Sequence, residues 1–200
     1  MKDTWDFERD PLSRLRKGDS APFEAFVSRE TNTFLAFYRR LGASASESED
    51  LVQEVFLKLF RHAETYQASG RFSAFAFRIA RNAWIDHRRR SAASPLESAR
   101  QSKASDEAQA ARDDALGQFP GREEEPGVVL GRNEEAGRMR AALAKLSEPH
   151  KLVFELGVLQ ELPYGEISEI LDVPVGTVKS RMFHAVRKLR AALGEDSDES

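Results

Sequence analysis

The chain has 200 residues, 40% of them hydrophobic and 32% charged, with a formal net charge of −3. That length suits two small domains better than one large catalytic core, and no apolar run approaches the roughly 18 residues a membrane span requires. There is no cysteine, which excludes disulfides, thiolate metal sites and thiol nucleophiles, and the four histidines (His62, His87, His150, His184) have no metal-ligand spacing. No metal, cofactor or catalytic residue is expected.

Residues 1–18 form an N-terminal segment whose start, Met1 to Asp10, is charged and shows no apolar stretch leading to a cleavage site, so the expected location is the cytoplasm, without membrane insertion. Residues 19–92 read as an all-helical domain. A helix is predicted from about Pro22 to Leu41, with Phe23, Phe26, Val27, Phe34, Phe37 and Tyr38 recurring on one face. Ser46-Glu47-Ser48-Glu49 matches a capping box and predicts the start of a second helix running to about Ala63. In that helix Leu51, Val52, Val55, Leu59 and Phe60 are expected to face inward, leaving Asp50, Gln53, Glu54 and Lys58 on another face. After Gln67-Ala68-Ser69-Gly70, a third helix is predicted from about Phe72 to Arg90. It interleaves aromatics with arginines.

Residues 93–133 are rich in Ala, Ser, Gly, Pro and Glu and lack apolar periodicity, so they are expected to form a disordered, flexible linker; 194–200 read as a disordered acidic tail. About 40 linker residues can extend to roughly 130 Å, against a coil span of about 35 Å. The second domain, 134–193, is again helical. Ser147 is a plausible N-cap with Pro149 in the first turn. Pro163 opens a short helix over Tyr164 to Leu171, Asp172 to Gly176 form a turn, and Thr177 to Leu193 form the last helix. Short helix, tight turn and longer basic helix are the spacing of a helix-turn-helix.

The acidic linker and tail mask two cationic regions. In the last helix Val178, Met182, Ala185, Val186 and Leu189 give an inward stripe, which leaves Thr177, Lys179, Ser180, Arg181, Phe183, His184, Arg187 and Lys188 for the DNA major groove. The alternative is a solvated basic face with Phe183 partly in the core. Between Tyr66 and Trp84 the mixture of aromatic and basic residues suits single-stranded DNA, where bases stack on rings and arginines follow phosphates. Tyr66, Arg71, Phe72, Phe75, Arg78 and Asn82 are the candidates there. Core packing is the competing reading for the phenylalanines and, more strongly, for Phe77 and Trp84.

Four stretches occur in order: Leu15-Arg16-Lys17-Gly18-Asp19, Asp50-Leu51-Val52-Gln53-Glu54-Val55-Phe56, Phe77-Arg78-Ile79-Ala80-Arg81-Asn82, and Pro174-Val175-Gly176-Thr177-Val178-Lys179-Ser180-Arg181. With these motifs the chain resembles the extracytoplasmic-function (ECF) sigma factors over about residues 12 to 92 and 134 to 193. The resemblance implies a non-enzymatic, alternative sigma factor that binds core RNA polymerase and directs promoter recognition and DNA opening. It implies that Asp50, Gln53, Glu54 and Phe56 bind the beta-prime clamp helices. Tyr66, Phe72 and Asn82 would surround a base flipped from the minus-ten element, and Ser180, Phe183 and His184 would read the minus-thirty-five element. The second domain would rest on the beta flap tip, and an anti-sigma factor is a further implied partner.

Three positions depart from the family pattern. Phe75 stands where tryptophan is common, Pro163 replaces a polar cap, and His184 occupies a site often held by arginine. A neutral histidine offers one donor and one acceptor instead of a bidentate fork, which weakens any guanine preference at that base. A stand-alone helix-turn-helix regulator is the main alternative, but it assigns no role to the acidic face around Asp50 and Glu54. An enzyme would have that carboxylate pair and no positioned nucleophile beside it.

Overall fold

The computed structural model describes residues 10–68, 70–93 and 137–194, and among them there is no strand. The protein is all-α, with two small helical domains. The expected linker and tail, 93–133 and 194–200, lie outside the described residues except for Ala93 and Gly194.

The first domain comprises α1 (Pro11–Leu15), α2 (Ala21–Leu41), α3 (Ala45–His62) and α4 (Phe72–Ala93). Asp10 caps α1 by accepting from the amides of Leu12 and Ser13 at 3.0 and 3.3 Å. Leu12 is fully buried, so this short helix, which the sequence reading leaves in a separate N-terminal segment, adds to the core. The centre is aromatic. Phe77 of α4 lies 5.2 Å from Phe34 and 5.6 Å from Phe37 of α2, centroid to centroid. The Tyr38 hydroxyl donates to the Ala80 carbonyl at 2.9 Å, tying α2 to α4. Burial, then the charge of Glu54, holds that phenol well above its ordinary pKa, so it stays a neutral donor.

Helix α2 ends on Gly42, whose φ of 107° lets its amide reach back to the carbonyls of Tyr38 and Arg39. Only three residues, Gly42 to Ser44, separate it from α3, and this places the capping box at Ser44 and Glu47, two residues before the Ser46 box read from sequence. Both pairs fit the motif, but Ser44 has the extended backbone of an N-cap while Ser46 is already helical. The Ser44 hydroxyl accepts from the Glu47 amide at 3.3 Å, and the Glu47 carboxylate accepts from the Ser44 amide at 2.8 Å. Ser44→Ala is expected to destabilise the protein by about 1 kcal/mol in urea unfolding, whereas Ser46→Ala stays within a few tenths.

One inward assignment in α3 is corrected. Phe60 is 53% exposed, with its ring 5.9 Å from that of Phe23, because the apolar arc of the helix closes at Leu51, Val52, Val55 and Leu59.

The second domain contains a helical stretch over 137–144, then α5 (Glu148–Phe154), a π-helical turn (Glu155–Leu159), α6 (Tyr164–Leu171) and α7 (Val175–Leu193). Ser147 has N-cap backbone geometry, but its hydroxyl meets His150 Nδ1 at 2.5 Å in place of a free amide. A Cβ on Gly157, in the π turn, would stand 2.5 Å from Met182 Cε and 3.3 Å from Ile167 Cδ1. Glycine therefore permits the close approach of the π turn to α6 and α7. Between α6 and α7 the chain reverses at Asp172, which takes a left-handed conformation with φ of 53°. The Ser168 hydroxyl closes this turn on the Val173 carbonyl at 2.5 Å. Helix α7 starts at Val175, two residues earlier than the sequence reading places it, with Pro174 supplying the N-cap backbone. Val178, Met182, Ala185 and Leu189 are buried as expected, and Val186 is half-buried at the edge.

Candidate nucleic-acid interface

Helix α4 sorts its residues by period. Phe72, Ala76, Phe77, Ala80 and Trp84 are buried, while Arg71, Phe75, Arg78 and Asn82, at steps of four, three and four, share the opposite face. The Arg78 guanidinium lies over the Phe75 ring at 5.5 Å, a cation–π contact that holds both side chains along the surface. The turn after α3 brings Tyr66 against this face, with its ring 4.9 Å from Phe75. Tyr66, Arg71, Phe75 and Arg78 thus line one cavity of about 400 Å³. Burial and the neighbouring Asp10 carboxylate raise the Tyr66 phenol well above its ordinary pKa, so the ring is neutral near pH 7.

The other two candidates stand elsewhere. Phe72 is buried behind the face, 5.1 Å from Phe26 in an edge-on contact, and supports the cavity from the core. Asn82 is exposed one turn beyond Arg78 and is not part of the cavity lining. Its side-chain carbonyl accepts from Arg81 at 3.2 Å. Sequence reasoning missed His62, Thr65 and Gln67, which also line the cavity. Thr65 and Gln67 belong to an irregular turn, where periodicity carries no directional signal, and His62 is the last residue of α3.

The second candidate surface is α7. Phe183 is 63% exposed, which places it on the outer face and not partly in the core, and Arg187 covers its ring at 5.8 Å. Lys179 and Ser180 are exposed, while Thr177, Arg181 and His184 are half-buried along the same helix. His184 lies edge-on to His150 of α5 at 6.3 Å. Burial, then Lys188, His184 and Arg181, depress the His150 pKa, so this ring stays neutral near pH 7 and adds no charge to the stripe. A helix that presents basic, hydroxyl and aromatic groups after a tight turn fits the major groove.

On α3, Asp50 and Gln53 are exposed, and Glu54 is half-buried between Lys58 at 2.7 Å and Arg90 at 3.4 Å. Burial raises the Glu54 carboxyl, but Lys58 and Arg90 overcome this and hold it below its ordinary pKa, so it is ionised. Phe56 does not share this face. Its ring packs edge-on against Phe26 and Phe34 at 5.9 and 5.7 Å. Leu57, one turn after Gln53 and Glu54, is 49% exposed and takes the apolar place beside the acids.

The domains touch through side chains. Glu155 and Arg40 form a doubly hydrogen-bonded pair at 2.6 Å. Glu169 meets Arg71 at 2.6 Å, and Glu148 accepts from Trp84 Nε1 at 3.2 Å. Glu169 and Ile170 of α6 also close one side of the 400 Å³ cavity.

The chain matches two protein families in succession: Sigma-70 region 2 over residues 26–94 and Sigma-70, region 4 over 136–189. It is 29% identical to the ECF RNA polymerase sigma factor SigW of Bacillus subtilis, over 91% of this chain and 94% of that one. It is 27% identical to the RNA polymerase sigma-H factor of Pseudomonas aeruginosa, over 91% of each. Among solved structures, CnrH in complex with the cytosolic domain of CnrY superposes with a TM-score of 0.64 at 20% identity, covering 96% of this chain and 100% of that one. The sigma factor RpoE in complex with the anti-sigma factor NepR, from Bartonella quintana, gives 0.60 at 21% identity, over 87% and 98%. At those identities the likeness is one of fold.

Proposed function

The chain belongs to the ECF sigma factors of the sigma-70 family, and from that premise we propose that it binds core RNA polymerase and directs it to promoters through two distinct DNA faces. The observation that carries this reading is the pairing, in one chain, of a helix-turn-helix with an aromatic and cationic cavity on a different domain. A duplex reader needs the first. Only a protein that also handles separated strands has use for the second, because bases in a duplex cannot reach stacking rings.

In this reading α7 enters the major groove at the minus-thirty-five element. Ser180, Phe183 and His184 face base edges, while Lys179, Arg181 and Arg187 meet phosphates and Thr177 anchors the helix start. As the duplex opens, a minus-ten base enters the cavity between Tyr66 and Phe75, Arg71 and Arg78 hold the strand's phosphates, Phe72 backs the pocket, and Asn82 contacts the adjacent strand. Flipping a base costs a few kcal/mol, which ring stacking at about 1 to 3 kcal/mol per base offsets. Asp50, Gln53 and Glu54 face the beta-prime clamp helices, with Phe56 bracing α3 from the core side. The second domain rests on the beta flap tip. The polymerase performs the chemistry, and the sigma factor contributes no catalytic group. An anti-sigma factor, such as the partner named for the Bartonella quintana relative, and a cytoplasmic location complete the proposal. Among the described residues no helix is long and apolar enough to cross a membrane.

Two variants test the division of labour. With purified core polymerase, Asn82→Ala is expected to slow open-complex formation, read by permanganate reactivity, while initial promoter docking is kept; equal opening by mutant and parent would remove Asn82 from the strand contacts. Arg181→Ala is expected to weaken duplex binding by roughly tenfold and to lower the slope of log K against log salt by about 1. An unchanged slope would exclude Arg181 from the phosphate contacts.

A further inference from the structure

The Tyr66 ring lines the cavity from a part of the chain with little regular backbone to hold it. Its amide donates to the His62 carbonyl at 2.8 Å, but residues 66–68 belong to no helix. The orientation of the ring therefore depends on side-chain contacts. Phe75 lies 4.9 Å from it on one side, and Phe72 meets it edge-on at 6.1 Å. These rings set how far Tyr66 stands from its neighbours, while the polar far end of the side chain, 8% exposed as a whole, needs a partner of its own.

That far end meets the N-terminal segment. Asp10 stands just before α1, where its Oδ1 accepts from the amides of Leu12 and Ser13 at 3.0 and 3.3 Å, and the fully buried Leu12 pins the helix to the core. The carboxylate is thus held in place, and it lies beside the Tyr66 hydroxyl. Its second oxygen, Oδ2, and that hydroxyl are both buried, and among the described residues neither completes a hydrogen bond. Leaving a buried acceptor and a buried donor unmade side by side costs more than the slight rotation that joins them. Asp10 takes no part in the cavity lining, so it acts on the ring from behind.

We infer that Asp10 is a positioning residue for the strand cavity: the Oδ2 that the α1 cap leaves over accepts from the Tyr66 hydroxyl and fixes the ring at the orientation on which an unpaired base stacks. This rests on the reading of the α4 face as a strand-binding surface. A base entering between Tyr66 and Phe75 presses on the ring from the cavity side, and the carboxylate opposes that push from the core side. Without it the ring turns on its irregular stretch of chain, and small displacements of a positioned group have large kinetic effects. One carboxylate then serves two purposes, since the oxygen that starts α1 also holds its partner oxygen at the cavity.

Asp10→Ser keeps an N-cap for α1, because serine caps a helix about as well as aspartate, but it removes Oδ2. In the full-length protein with fluorotyrosine at its three tyrosines, fluorine NMR is expected to show the Tyr66 resonance, identified by its loss in Tyr66→Phe, shifted and broadened by Asp10→Ser. The Tyr38 resonance, from the core of the same domain, should stay in place, which a general loss of structure would not allow. With core polymerase, Asp10→Ser is expected to slow open-complex formation by about tenfold, the effect of losing one hydrogen bond to a charged acceptor, and Tyr66→Phe by a similar factor. The double variant should be no slower than either single one, because both remove the same contact. An unmoved Tyr66 resonance, opening at the parent rate, or additive losses in the double variant overturns the inference. If the parent chain itself opens no promoter, the strand-binding reading falls and takes the inference with it; opening by the parent and equally by Asp10→Ser removes Asp10 alone.

Discussion

Combining Asp50→Ala with Leu57→Ala lowers affinity for core RNA polymerase by about a hundredfold in the expected result, with little change in thermal unfolding. Both side chains are exposed on the same face of α3, and among the described residues no side-chain hydrogen bond or ion pair holds either. Truncating an interface residue near the centre of a patch typically costs about 1 to 2 kcal/mol or more, and two such losses amount to roughly 3 kcal/mol, or two orders of magnitude in Kd. Leu57 carries the apolar share and Asp50 the electrostatic share, so the loss from Asp50→Ala alone should shrink at high salt while that from Leu57→Ala persists. Phe56→Ala is expected to behave differently. Its ring lies between Phe26 and Phe34, and its loss should appear mainly as reduced stability. Competitive fluorescence binding to core polymerase, with melting curves for each variant, distinguishes these outcomes.

The second large effect is structural. Phe77→Ala removes a fully buried ring that contacts Phe34 and Phe37 and lies within one turn of Ala80, the acceptor for Tyr38. Loss of such a ring costs about 3 to 5 kcal/mol, the sum of transfer and cavity terms. Against a typical total of about 5 to 15 kcal/mol this is most of the margin of a small domain, and the first-domain Tm should fall by 15 °C or more. The consequence reaches the proposed DNA face because Phe77 is the inward side of the helix that carries Phe75, Arg78 and Asn82 outward. Phe75→Ala, at a half-buried position on that outward face, is expected to cost far less stability and to impair promoter opening instead. Circular-dichroism melts paired with open-complex assays read both.

Helical period made much of this molecule legible. The faces of α4 and α7 follow from three- and four-residue steps, and the tight turn before α7 follows from Asp172, Pro174 and Gly176. Where two solutions satisfied the same local rule, sequence could not choose: Ser44 and Ser46 each precede a glutamate by three residues, and only the reversal at Gly42 decides between them. Phe56 and Phe60 show the limit in another way. Their hydrophobicity is the same, but their places on the α3 wheel relative to α2 decide that one packs and the other is exposed. The domain seam left no local signal. Glu155 and Arg40 are 115 residues apart in sequence, and pairing of charges across a docking surface follows from neither residue's neighbours. The irregular turn that brings Thr65 and Gln67 to the cavity was hidden for a similar reason, because no period specifies its path.

The most direct test of the central claim is transcription by purified core RNA polymerase from a library of random promoters, with and without this protein, followed by sequencing of the upstream DNA of each transcript. The account predicts protein-dependent initiation and two enriched motifs at a fixed spacing, one lost with α7 variants and the other with α4 variants. Failure to bind core polymerase, or initiation with no enriched upstream sequence, would contradict it.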